Sequence, residues 1–296
     1  MARTPHEPST ISQLKDTLRL HNLHARKGMG QHFLVDRGIL RSIAAAADLS
    51  SSDIVIEVGP GTGLLTSELC ALAGRVVAVE LDREMVALLG ESFADTANLS
   101  VVHGDILALP PSELLAGLVP PANHYKVVAN LPYYITSPVL RHFLHSDTRP
   151  EVMVVMVQQE VGRAIAAQPG DMSLLSVGVQ MFARPRVVRR VSARSFHPAP
   201  KVDSMVLRLD VLEAPPIATG EVPGFLDFVG AGFHSPRKQL RNSFGHGLRA
   251  SREQVDELLS RSGIAPERRP ETLATEEWLR LWREHLAMAP EEGERC

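Results

Sequence analysis

The sequence predicts an α/β fold: a mostly parallel, doubly wound sheet followed by a small all-helical C-terminal domain. Three observations carry that prediction. Short apolar runs alternate with stretches of helical periodicity from Ile54 onward, the pattern of βα units in a parallel sheet. Runs such as Val152 to Val157 are apolar without alternation, as a strand buried on both faces requires. A Pro- and Gly-rich stretch, Glu213 to Gly224, then separates this region from one with helical patterns alone.

The first fifty residues read as helical, with Ile11, Leu14, Leu18 and Leu20 in one segment and Ile39, Leu40 and Ile43 in the next. Strand Ile54 to Val58 leads to helix Leu64 to Ala73, and strand Arg75 to Leu81 to helix Arg83 to Ser92. Strand Leu99 to His103 leads to a short helix near Ser112 to Leu118, and strand Tyr125 to Ala129 to helix Ser137 to His145. Strand Val152 to Val157 and helix Glu160 to Ala167 complete the series. No full crossover helix fits between Leu174 to Phe182 and Ser204 to Leu209, so these two runs are expected to form an antiparallel pair closing the sheet. The expected organisation is a first domain over residues 1–212, a linker over 213–224 and a helical domain over 225–296. Helices are expected there at Phe225 to Gly232, Arg252 to Ser262 and Glu276 to Leu286.

Composition narrows the function classes. The 296 residues are 44% hydrophobic, enough for a full core. Cys70 and Cys296 have neither metal-ligand spacing nor disulfide density, which points to a reducing compartment and no metal. The N-terminal residues lack an apolar signal core, and no apolar run approaches the ~20 residues that span a bilayer. A soluble cytoplasmic protein, monomeric by default, is expected. The net charge of −3 hides a polarised distribution. Between Asp53 and Asp105, nine acids stand against Arg75 and Arg83. From Arg184 to Arg208 the basic residues Arg184, Arg186, Arg189, Arg190, Arg194, Lys201 and Arg208 face Asp203 alone, and Arg237, Lys238 and Arg241 follow. Clusters of this kind can meet a phosphate backbone, or can simply be a solvated face.

The chemistry concentrates at strand ends, where ligands bind in an open α/β sheet. Glu57-Val58-Gly59-Pro60-Gly61-Thr62-Gly63 leaves the first strand of the series and enters a helix, letting a ligand approach the backbone. Its G-x-G-x-G spacing differs from the dinucleotide fingerprint, and no P-loop lysine is present. Glu80 ends the next strand, placed to accept from ribose hydroxyls, and Asp105 ends the third, placed to accept from an adenine amine. Asn130-Leu131-Pro132-Tyr133 ends the fourth and offers a side-chain oxygen, backbone carbonyls and an aromatic face to a planar amine. Each position has a plainer reading as a cap or turn residue. Four polar strand ends on one sheet edge are harder to explain that way. An acidic half that would repel phosphate suits a cofactor with a cationic reactive centre, and S-adenosylmethionine fits better than ATP.

These pieces together resemble the KsgA family of ribosomal RNA adenine N6,N6-dimethyltransferases. The matching segments are Lys27-Gly28-Met29-Gly30-Gln31-His32-Phe33-Leu34, the Glu57 to Gly63 loop, Glu80, Gly104-Asp105, Asn130 to Tyr133, Phe196 to Ser204 and Phe233 to Asn242. They span roughly Lys27 to Trp282. The resemblance implies a Rossmann-like class I methyltransferase that binds S-adenosyl-L-methionine through Gln31, His32, Leu34, Gly59, Gly61, Glu80, Asp105 and Asn130. It implies that Asn130, Leu131 and Pro132 engage the target amine, with Tyr133 and Phe196 on either side of the base. The implied substrate is a pair of adjacent adenosines near the 3′ end of 16S ribosomal RNA, within an immature small subunit. Arg186, Arg189, Arg190, Arg194, Lys201, Arg237, Lys238 and Arg241 are the candidates for RNA contact. Three places depart from the family pattern: His32 stands where many members carry Asn, the segment Gly170 to Val177, with Met172, lacks the Tyr-Gly that often precedes Leu-Ser-Val, and Pro236 replaces a frequent Arg. Two other readings share much of this pattern, a resistance-type methyltransferase of large-subunit RNA and a ribosome-assembly factor that binds without catalysing. A DNA adenine methyltransferase would instead show Asp/Asn-Pro-Pro-Tyr.

Overall fold

Nearly every apolar run from Ile54 onward becomes a strand in the computed structural model, which describes residues 11–21, 23, 31–118 and 124–288. Lys27 to Gly30 of the first motif lie outside the described residues. Helix α1 (Ile11–Leu20) is followed by a two-residue strand β1 (Phe33–Leu34) and by α2 (Arg37–Ala46). Asp36 starts α2 by accepting the Ile39 N–H at 3.1 Å. Four strand–helix units come next: β2 (Ile54–Val58) with α3 (Leu64–Cys70), β3 (Arg75–Glu80) with α4 (Arg83–Ser92), β4 (Leu99–His103) with α5 (Pro111–Ala116), and β5 (Lys126–Asn130) with α6 (Thr136–Leu144). Then come β6 (Val152–Gln158), α7 (Gln159–Ile165), α8 (Leu174–Gln180), β7 (Ala183–Val191), β8 (Phe196–His197) and β9 (Ser204–Val211). The chain continues through α9 (Val222–Gly232), α10 (Leu240–Gly247), α11 (Arg252–Arg261) and α12 (Thr275–Met288).

Among the described residues, the main sheet has seven strands in the order β4-β3-β2-β5-β6-β9-β7. The pairings from β4 through β6 are parallel, and β6 meets β9 antiparallel. The chain runs outward from β2 to β4, then returns to place β5 on the other side of β2. The switch point therefore lies between the carboxyl ends of β2 and β5, where such sheets bind ligands. Ile39, Leu40 and Ile43 of α2 pack with Val55, Val128, Val154 and Val206 of the sheet. Lys126 of β5 is 9% exposed, donates from Nζ to the Asp48 carbonyl at 2.7 Å and pairs with Asp53 at 3.1 Å. Burial alone would raise the Asp53 carboxyl, but donors from Ser50 and the Lys126 ammonium hold it below its ordinary value.

The structure departs from the sequence expectation at the end of the sheet. Leu174 to Phe182 contains helix α8, not a strand. Ser173 caps it by accepting the Ser176 N–H at 3.2 Å, while the Ser176 hydroxyl accepts from the Ser173 N–H at 2.6 Å. The strand beside β9 is instead β7, rich in arginine and containing Pro185. Proline and charge are both tolerated there because β7 is a sheet edge.

The described residues form two compact units. One is drawn from Met1–Gly162 and Arg184–Glu213, the other from Arg163–Ala183 and Ala214–Cys296. The stretch Arg163–Ala183, expected within the first domain, thus belongs to the second unit, where α8 packs on α9 and α12. The expected linker 213–224 is only partly a linker, since Ile217 and Val222 are buried and α9 begins at Val222. Helix α10, missed from sequence, contributes Phe244, which stacks on Phe228 at 5.1 Å between ring centroids.

Candidate active site

Backbone conformation shapes the floor of the site. Gly59, Gly61 and Gly63 have φ of +67°, +57° and +83°, values that side chains with a Cβ rarely adopt. At Gly63, the residue before α3, a Cβ would also lie 2.5 Å from the Phe93 ring. This glycine turn, the ends of β3, β4 and β5, and the segment around β1 enclose a cavity of about 210 Å³. Gln31, His32, Leu34, Gly59, Gly61, Glu80, Asp105, Asn130, Leu131, Pro132, Tyr133 and Phe196 all line it. Every expected cofactor and catalytic residue therefore converges on one cavity.

Glu80 braces the glycine turn. Its Oε2 accepts the Gly61 N–H at 3.0 Å and its Oε1 the Asp82 N–H at 2.9 Å. With Leu81 as a further backbone donor, the carboxylate still keeps lone-pair capacity for a hydroxyl donor. Burial raises the Glu80 carboxyl, opposed by those backbone donors. Glu57, 1% exposed, lies in β2 just before the turn and is pushed up to about 8, chiefly by burial and further by the Glu80 charge. Thr66 draws it down somewhat, yet neither Glu57 Oε2 nor the Thr66 hydroxyl completes a hydrogen bond among the described residues. Asp105 is exposed and caps the turn after β4 by accepting the Leu107 N–H at 3.0 Å.

At the end of β5, Asn130 Nδ2 donates to the His32 carbonyl at 3.4 Å, which leaves Oδ1 as the acceptor. The Leu131 N–H continues the sheet by donating to Met156, and the Pro132 carbonyl accepts from Ile135. The Leu131 carbonyl is therefore the better backbone acceptor of the two. Tyr133 is tethered through its hydroxyl to Ser204 Oγ at 2.7 Å, and its ring lies 25° from the plane of His32 with centroids 6.0 Å apart. Burial raises the Tyr133 phenol, with Ser204 opposing and Asp203 adding to the shift. His32 Nδ1 meets the Pro198 carbonyl at 2.7 Å and must donate, because a carbonyl only accepts. Phe196 of β8 pairs with Leu34 of β1 and is 2% exposed, packed among Leu34, Ile39 and Leu40.

The basic candidates divide. Arg186, Arg189 and Arg190 on β7, Arg194 just after it and Lys201 between β8 and β9 are all exposed. Arg186 pairs with Asp210 at 3.0 Å, and Arg189 reaches the Gly38 carbonyl at 3.5 Å. Arg208 donates to Asp210 and Ala46 at 2.7 Å each and is thereby structural. In the second unit, Arg237 and Lys238 are exposed, but Arg241 is half-buried and held by Asp256. Asp256 thus already engages the Arg241 guanidinium, as Asp210 engages that of Arg186. Sequence reading missed Glu57, Leu81, Leu107 and Tyr134 as lining residues. Leu81 directly follows Glu80, Leu107 stands two residues after Asp105, and they are 47% and 37% exposed. That exposure of apolar side chains was the signal available only in three dimensions.

The family described as ribosomal RNA adenine dimethylase matches residues 22–285. The chain belongs to the ribosomal RNA adenine dimethylase family. A ribosomal RNA small subunit methyltransferase A from Dehalococcoides mccartyi is 46% identical over 274 residues, covering 93% of each chain. One from Moorella thermoacetica is 43% identical, covering 90% of this chain and 94% of the relative. Among solved structures, a dimethyladenosine transferase from Plasmodium falciparum aligns with a TM-score of 0.72 and 26% identity, over 86% of this chain and 98% of the other. The 23S rRNA methyltransferase ErmE aligns with a TM-score of 0.67 and 30% identity, over 85% and 98%. This member of the dimethylase family therefore has the Rossmann-like methyltransferase fold with a helical C-terminal region.

Proposed function

We propose that this dimethylase-family chain uses S-adenosyl-L-methionine to convert two adjacent adenosines near the 3′ end of 16S ribosomal RNA to N6,N6-dimethyladenosine, acting on an immature small subunit as a cytoplasmic monomer. One observation carries the reading: the Asn130 acceptor, the Glu80-braced glycine turn and the Asp105 strand end open into the same cavity at the sheet's switch point. The residues fit the cofactor. The positive-φ glycines admit it close to backbone, Glu80 has lone pairs for ribose hydroxyls, and exposed Leu81 and Leu107 offer apolar walls for a nucleobase. The buried Glu57 oxygen without a hydrogen bond suits a cationic ligand. When bound, S-adenosylmethionine supplies an electrophilic methyl group on a sulfonium.

The chain's own part is to prepare and align the amine. The N6 lone pair of adenine is delocalised into the ring, which makes it a weak nucleophile. Acceptors at Asn130 Oδ1 and the Leu131 carbonyl draw on the two N–H bonds and favour a tetrahedral nitrogen, an interaction strongest in the transition state. Tyr133, fixed by Ser204, and Phe196 flank the base and hold its approach direction. Alkylation makes the amine strongly acidic, so its proton can leave to water without a dedicated base. After one methylation an N–H remains for a second round.

The small-subunit assignment is favoured by relatives named ribosomal RNA small subunit methyltransferase A that are 43% and 46% identical over 90% or more of each chain. Transfer of labelled methyl to undermethylated small and large subunits tests it. Label in small-subunit RNA is expected. Label confined to the large subunit would mean a resistance-type enzyme, and tight binding to small subunits without label would mean an assembly factor.

A further inference from the structure

We infer that Tyr134 is a positioning residue that stacks on the nucleotide next to the target adenosine, holding open the gap left when the target enters the cavity. The inference rests on the proposed RNA substrate. Of the Phe, Tyr and Trp side chains among the described residues, Tyr134 alone is exposed, at 58%. It also lines the active-site cavity, beside Tyr133. The other aromatic walls are set deeper: Tyr133, tied to Ser204 and stacked on His32, and Phe196, 2% exposed, are the residues assigned to the target base, and Phe33 is 7% exposed against Gly61. None of them presents a wide face at the mouth.

The sequence explains why Tyr134 stays outside. Pro132 starts a tight 3-10 turn over Tyr133–Ile135 that runs straight into α6, and Ile135 donates back to the Pro132 carbonyl at 3.1 Å. Consecutive residues of such a turn point about 120° apart, so with Tyr133 held inward Tyr134 must face away from the core. Exposing an aromatic ring to water at this place has no packing benefit. It does have a use for a base-extruding enzyme. Drawing one adenosine out of a strand uncovers the face of its neighbour, and a protein ring can replace the lost stacking. Such stacking tolerates any base, but an adenosine neighbour presents a large purine face.

Stacking on the neighbour is made equally before and during the reaction, so its loss should appear in substrate binding and not in turnover. The test compares wild type, Tyr134→Ala and Tyr134→Phe for subunit affinity, KM and kcat on undermethylated small subunits, with S-adenosylmethionine affinity as a control of folding. The expected result is a roughly 10-fold rise in KM and in subunit Kd for Tyr134→Ala, with kcat within about 2-fold, and near-complete recovery in Tyr134→Phe. Unchanged KM and Kd in Tyr134→Ala, with wild type active, would overturn the stacking role and leave the proposed reaction intact. A fall in kcat at unchanged KM would place Tyr134 on the reacting base and overturn the neighbour assignment. Loss of cofactor affinity in Tyr134→Ala would reduce it to a structural residue. If wild type itself transfers no methyl, the proposed function falls and takes this role with it.

Discussion

The Asn130 side-chain amide donates to the His32 carbonyl at 3.4 Å, joining the end of β5 to the segment that enters β1. That contact assigns the amide nitrogen to the His32 carbonyl and so presents the oxygen as an acceptor. Preorganised polar contacts of this kind are worth about 100-fold or more in turnover. Asn130→Ala should therefore lower kcat by at least that factor while leaving the fold, measured by circular dichroism, unchanged. Near-normal turnover in a folded variant would remove Asn130 from the amine site.

Glu57 should make cofactor binding depend on pH. Burial and the Glu80 charge push its carboxyl up to about 8 in the free protein, so it holds a proton at neutral pH. A cationic ligand favours the ionised form and lowers that value on binding. Affinity for S-adenosylmethionine should then rise with pH up to about 8 and level off above it, with release of a proton below that point. Calorimetry in buffers of different ionisation enthalpy measures the proton directly. Glu57→Gln should abolish both the release and the pH dependence; release that persists in the variant would assign it to another group.

The charges on β7 should govern RNA affinity alone. Arg189→Glu with Arg190→Glu reverses two exposed positions on the sheet edge, away from the cavity-lining set. Subunit binding should weaken, and the slope of log affinity against log salt should fall by roughly 1.5 as two phosphate contacts are lost. Cofactor affinity should hold. Equal loss of both affinities would indicate damage to the sheet.

Lys126 should matter for stability. Removing its ammonium leaves Asp53 and the Asp48 carbonyl without their shared donor at a largely buried place. Lys126→Ala should cost about 2–3 kcal/mol, read from the urea midpoint. A loss below about 0.5 kcal/mol would mean that water replaces the pair freely.

Much of the site was legible because each acceptor ends an apolar run. Glu80 and Asn130 close strands that unbroken apolar runs mark plainly, and Asp105 follows one within two residues, so the sheet edge was legible from the sequence. Glu57 was not legible as a site residue, since it lies within a strand and its isolation is a property of packing. Tyr134 was hidden by its neighbour: two consecutive tyrosines do not say which is held inward until the turn and the Ser204 tether are seen. The last part of the sheet failed for a different reason. Leu174 to Phe182 alternates Ser176, Gly178 and Gln180 with Val177, Val179 and Met181, a period that suits a strand, and the Ser173–Ser176 capping pair decides for the helix. Conversely, β7 carries arginines and a proline that conceal a strand whose position at the edge tolerates both.

The most direct measurement is nucleoside analysis of small-subunit RNA after incubation with S-adenosylmethionine and either wild type or Asn130→Ala. N6,N6-dimethyladenosine is expected at two adjacent positions with wild type, and almost none with the variant over the same time. Equal dimethyladenosine from both proteins, or methyl groups on a different base or atom, would contradict an adenine amine site built on Asn130.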